Sequence, residues 1–119
     1  MSDYENVSPE EASKLVSDKS CFVIDVRTPA EFDAHRIAGA YLLPIQELNA
    51  RYTEIPKDPK KKLLFICEHG VRSVRACSAL AEAGWQKCVN MSGGMAAWLD
   101  AGLPVASGPG PDREDLRPG

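Results

Sequence analysis

The chain has 119 residues, 44% of them hydrophobic and 26% charged, with a formal net charge of −3. That length suits one domain with its own core and no more. The acidic balance argues against nucleic acid or an anionic membrane as the main partner, since both need a basic surface.

In chain order, short elements alternate. A short strand near Glu5–Val7 comes first. Ser8-Pro9-Glu10-Glu11 is a capping box with proline at the first helical position, and the helix it opens runs to about Val16. Cys21 to Val26 reads as a buried strand, and Thr28-Pro29-Ala30-Glu31 repeats the capping box for a helix ending near His35. Near that C-terminus, His35 fits a favourable interaction with the helix dipole. Gly39 to Pro44 is a turn with a short strand, and Ile45 to about Tyr52 a helix with Leu48 and Tyr52 on one face. Lys57-Asp58-Pro59-Lys60-Lys61-Lys62 is a solvated turn before the next strand. Cys88 to Met91 forms a last strand and Gly93 to Leu99 a last helix, closed by Gly102. Strands alternating with helices predict an α/β domain: a parallel sheet of about five short strands with helices on both faces. The domain spans residues 1–105. Residues 106–119 form a glycine- and proline-rich tail without apolar period, expected to be flexible.

The informative stretch is Leu63-Leu64-Phe65-Ile66-Cys67-Glu68-His69-Gly70-Val71-Arg72-Ser73. Its apolar run is a buried parallel strand. From Ser73 to Ala83 the polar residues are Ser73, Arg75, Ser78 and Glu82, the last three on one narrow stripe, so a mostly buried helix follows. Gly70 permits a sharp turn with inward-pointing N–H groups, and the helix N-terminus adds unpaired amides and partial positive charge. Such a nest stabilises an anion and lowers a cysteine pKa into a range of roughly 3.5–7.5. Cys67 is therefore the candidate nucleophile. Cys21, Cys77 and Cys88 lack such a loop and read as small core residues, as do Trp85 and Trp98. The four cysteines show no metal-ligand spacing and are expected as reduced thiols; no metal or cofactor is implied. An acidic, polar start without signal-peptide character and the lack of a membrane-length apolar run make the cytoplasm the expected location.

Three blocks resemble the rhodanese-like sulfurtransferases. They are Val23-Ile24-Asp25-Val26-Arg27 with Glu31-Phe32 and Ile37-Ala38-Gly39-Ala40; Cys67 to Ser73; and Asn90-Met91-Ser92-Gly93-Gly94-Met95-Ala96-Ala97-Trp98. The likeness covers about residues 4 to 105. One departure is His35-Arg36, where the family often has Gly-His. The resemblance implies a rhodanese-like fold and a thiosulfate sulfurtransferase, an enzyme that moves sulfane sulfur through a Cys67 persulfide. The donor would be small, either anionic such as thiosulfate or a persulfide. The acceptor would be cyanide in an assay and a thiol or protein in the cell. Amides of Glu68, His69, Gly70, Val71, Arg72 and Ser73 would surround the sulfur. Arg72 would hold the loop and attract an anionic donor. His69 is more readily a backbone donor than a general base, because a low-pKa thiolate needs none. Asp25 and Arg27 would pair or brace the loop. Glu68 either faces solvent, pairs with Arg72 or Arg75, or repels a dianionic donor. Arg75 suits a solvent-facing role. The rivals are a persulfide carrier or interaction module for a partner protein, and a cysteine phosphatase or arsenate reductase. The phosphatases place one more residue between cysteine and arginine than the four between Cys67 and Arg72.

Overall fold

A computed structural model describes residues 4–108. Residues 109–119, most of the expected tail, lie outside the described residues. Five strands form one sheet: β1 Tyr4–Val7, β2 Cys21–Asp25, β3 Tyr41–Leu42, β4 Lys62–Ile66 and β5 Cys88–Met91. Their order is β1-β5-β4-β2-β3 and every pairing is parallel. The helices are α1 Pro9–Ser17, α2 Pro29–Ala34, α3 Leu48–Arg51, α4 Arg72–Glu82 and α5 Gly94–Asp100. None among the described residues is long and apolar enough to cross a membrane.

Both expected capping boxes form. Ser8 Oγ accepts from Glu11 N–H while Glu11 accepts from Ser8 N–H, and Thr28 and Glu31 reciprocate in the same way. The expected helix over 45–52 is not continuous. A 3₁₀ turn at Ile45–Glu47, the single α turn of α3 and a second 3₁₀ turn at Tyr52–Glu54 replace it. Ile45 and Leu48, three residues apart, both pack inward, and a 3₁₀ turn aligns that spacing better than an α-helix. Tyr52 is 42% exposed, its ring edge-on to Trp85 at 5.8 Å.

Strand β4 shows why a continuous apolar run was needed. Leu63, Phe65 and Cys67 join the cluster with Leu80, Cys77 and Trp85 on the α4 side. Leu64 and Ile66 join Phe32, Met95 and Trp98 on the face of α1, α2 and α5. Both faces are covered, so every position from Leu63 to Ile66 is apolar, and only Lys62 at the strand's start is polar. Cys77, Cys88, Trp85 and Trp98 are buried as expected, while Cys21 is only partly so.

At the His35-Arg36 departure, the structure turns Arg36 inward. It is 1% exposed, with its guanidinium 4.8 Å from the Phe32 ring centroid. Its Nη1 donates to the carbonyls of Phe32 and Gly108 at 3.1 and 2.8 Å. Its backbone makes an antiparallel bridge with Ala106, so the first residues beyond 105 are bonded to the domain. Bonds from a charged donor are each worth about 1.5–3 kcal/mol. Arg36→Ala is therefore expected to lower the unfolding free energy by about 2 kcal/mol or more, read as a lower urea midpoint. An unchanged midpoint would show that Arg36 only fills space.

Candidate active site

The site is built where three parallel strands end level. Asp25 is in register with Ile66, and Phe65 with Asn90. The next residues, Arg27, Cys67 with Glu68, and the Gly93-Gly94 turn, therefore converge at the carboxyl edge of the sheet. In parallel α/β sheets this edge is where ligands bind.

Cys67 is 1% exposed and its Sγ lies at the floor of the loop. Gly70 N–H donates to it at 2.9 Å and Ser73 Oγ lies at 3.3 Å. Burial pushes the thiol pKa up, but the Ser73 hydroxyl and the Ser73, His69 and Gly70 N–H groups outweigh it, and the net shift is downward. Val71, the N-cap of α4, offers no side-chain cap, so the helix's first-turn amides are left for the sulfur. The other thiols go the opposite way: burial raises Cys21 and Cys88 to about 11 and Cys77 further still.

The loop carbonyls are held by a second helix. Met95 and Ala96, in the first turn of α5, donate to Cys67 O at 2.8 Å and Glu68 O at 3.0 Å. The approach is so close that a Cβ on Gly94 would lie 2.4 Å from Cys67 O and 2.5 Å from Glu68 C. Gly70, at φ +89°, also passes near this turn: a Cβ there would sit 3.1 Å from Gly93 N.

Two ion-pair groups flank the sulfur. Asp25 and Arg27, 0% and 1% exposed, do pair: Nε and Nη2 donate to the carboxylate at 2.9 and 2.8 Å. Burial pushes the Asp25 carboxyl up, against the pull of Arg27. Arg27 also braces the loop, donating to Glu68 Oε1 at 3.2 Å and to His35 O at 2.7 Å. This corrects one expectation. Glu68 pairs with Arg27 rather than Arg72 or Arg75, because the β2–β4 register carries Arg27 beside it. His35 is the C-cap of α2, at the helix end where it was expected, and what it adds here is its backbone carbonyl. Arg72 has the expected holding role, but its guanidinium is already engaged. Its guanidinium binds Glu31 bidentately, 3.0 Å on each arm, which holds the Glu31 pKa at about 2. It tethers α4 to α2 instead of standing free for an anion. Arg75, Val71 and the His69 residue are exposed, and His69 reaches the sulfur through its backbone.

A Rhodanese-like domain family model matches residues 8–101. The chain belongs to the rhodanese-like family. It is 34% identical over 96 residues to a sulfurtransferase of Allochromatium vinosum, covering 81% of this chain and 88% of that protein. It is 29% identical over 104 residues to thiosulfate sulfurtransferase GlpE of Actinobacillus succinogenes, covering 86% and 90%. A rhodanese-related protein from Thermoplasma volcanium superposes with a TM-score of 0.80 at 32% identity, over 87% of this chain and 98% of that one. A Rhodopseudomonas palustris protein of unknown function, described as a possible tyrosine phosphatase, superposes at 0.74 and 26%, over 87% and 85%.

Within this rhodanese-like site, three contributors had weak signals in the sequence. Asn90 is buried in β5, its amide donating to Asn6 at 2.9 Å so that Oδ1 faces the Ser73 hydroxyl. One hydroxyl proton thus faces two acceptors, Asn90 and the sulfur. Glu31 was legible as a cap but not as the partner of Arg72, and Gly94 only as part of a motif. An asparagine in an otherwise apolar strand was the one usable clue.

The donors give a direct expectation. At neutral pH iodoacetamide should label Cys67 ahead of the other three thiols, and Ser73→Ala should move the labelling midpoint to higher pH by removing a thiolate donor. An unmoved midpoint would mean that the backbone amides suffice. Gly94→Ala meets backbone, not flexible side chains, and strains a φ of +63°. It is expected to destabilise the fold by more than about 2 kcal/mol in urea titration and to raise the Cys67 labelling midpoint.

Proposed function

We propose that this protein is a sulfurtransferase that carries sulfane sulfur on Cys67. The observation that carries the proposal is the convergence of the Gly70, His69 and Ser73 amides and the Ser73 hydroxyl on a buried Sγ whose pKa is lowered. The same donors suit a persulfide, whose terminal sulfur is also anionic. With thiosulfate as donor, the Cys67 thiolate attacks the outer sulfur. A new S–S bond forms, the old one breaks, and its electron pair leaves on sulfite. A second nucleophile then attacks the terminal sulfur and restores the thiolate: cyanide departs as thiocyanate, and a thiol or partner protein as its own persulfide. The name of the Actinobacillus relative supports thiosulfate as one donor for this chain.

The phosphatase-like neighbour favours a second possibility, which the arginine argues against. A phosphatase cradle needs a guanidinium turned toward the phosphoryl oxygens, in bidentate contact. Here that bidentate contact is made to Glu31. The loop is also one residue shorter than the phosphatase spacing.

Intact mass after brief exposure to thiosulfate or an organic persulfide tests the proposal. Unmodified protein should gain one sulfur atom that cyanide removes. Cys67→Ser should gain none while keeping its urea midpoint, and Cys77→Ala and Cys88→Ala should still load. Sulfur gain by Cys67→Ser would overturn the assignment.

A further inference from the structure

Each arginine held in the ion-pair groups beside Cys67 is already matched by a carboxylate. Arg72 is closed by Glu31 in a bidentate pair. Arg27 is shared between Asp25 and Glu68. With Asp25 ionised that group carries one net negative charge, and with Asp25 protonated it is neutral. Neither state leaves a surplus cation at the sulfur. Arg75, the next arginine, is exposed on the outer stripe of α4, where salt screens its field. Thiosulfate is a dianion. Its outer sulfur would have to reach a residue that is 1% exposed, which leaves the sulfonate at a rim that holds Glu68, 27% exposed, among its groups. That rim also carries Val71, 68% exposed, an apolar surface for a carbon-bearing donor.

We propose that the site is shaped for an organic persulfide, R–S–SH, rather than for thiosulfate, with Glu31 and Glu68 as the residues that set this preference by neutralising Arg72 and Arg27. The proposal rests on the sulfurtransferase assignment above. In the loading step the Cys67 thiolate attacks the outer sulfur of R–S–SH. The Sγ–S bond forms and the donor S–S bond breaks. Its electron pair leaves on R–S⁻, and the proton stays on the transferred sulfur until water takes it. No outside oxidant or reductant is needed, since the sulfane sulfur moves at constant oxidation state.

The test compares loading rates by rapid-quench intact mass, with cysteine persulfide and thiosulfate as probes at low and high salt. Unmodified protein should load from cysteine persulfide faster than from thiosulfate, on the order of tenfold, and its thiosulfate rate should not fall as salt rises. Glu68→Gln and Glu31→Gln remove one negative charge each. Both should raise the thiosulfate rate relative to the persulfide rate several-fold at low salt, a ratio that cancels the intrinsic reactivity of the donors and any general loss from loop disturbance. An unchanged ratio in both variants, or a thiosulfate rate in unmodified protein that falls steeply with salt, would overturn the donor preference while leaving sulfur transfer intact. Failure of both probes to add sulfur to Cys67 would overturn the sulfurtransferase assignment and this proposal together.

Discussion

Cys67 is bonded at two points by two helices, and the site depends on that double attachment. Its carbonyl takes a hydrogen bond from the first turn of α5, and its sulfur faces the uncapped first turn of α4. A helix N-terminus leaves amides without intrahelical partners, and burying them unpaired is unfavourable. Here the strand end supplies acceptors for both helices at once. The loop between Cys67 and Arg72 is consequently held by the fold and needs little rigidity of its own. Gly94 is the tight point, since any side chain there would push α5 off the carbonyls it binds.

The sulfur is under opposed forces. Burial to 1% exposure favours the neutral thiol, and three amides with one hydroxyl favour the anion. The donors win because they are already oriented in a low-dielectric setting, where fixed dipoles act more strongly than in water. Cys77 and Cys88 show the other outcome: equal burial without donors, and raised pKa values. Cys67, Cys77 and Cys88 share one core cluster, and position alone separates them.

Charge around the loop is arranged for support more than for attraction. Arg27 ties β2 to the loop and to the end of α2 through Glu68 and His35 O, and Arg72 ties α4 to the capping box of α2. Glu31 thus serves as helix cap and ion-pair partner together. Buried and half-buried pairs of this kind position their neighbours firmly even where their net contribution to stability is small.

The alternation of strands and helices, both capping boxes, the buried strand into Cys67 and the glycine turn after it were all legible in the sequence. They depend on local rules: apolar runs, residues that accept from nearby amides, and positive φ. The broken 45–54 segment was less so, because inward spacing of three residues overrode a helical period only once the sheet edge was in place. The Asp25–Arg27 pair, two residues apart, was legible, but the long-range partners of the site were not. That Arg27 meets Glu68, Arg72 meets Glu31 and Asn90 meets Ser73 follows from strand order and register, which bring together residues 41, 41 and 17 positions apart. Local chemistry singled out Cys67 from the other three thiols as the candidate. Tertiary structure alone decided which charges around it were already neutralised, because an ion pair depends on distance in space and not on spacing along the chain.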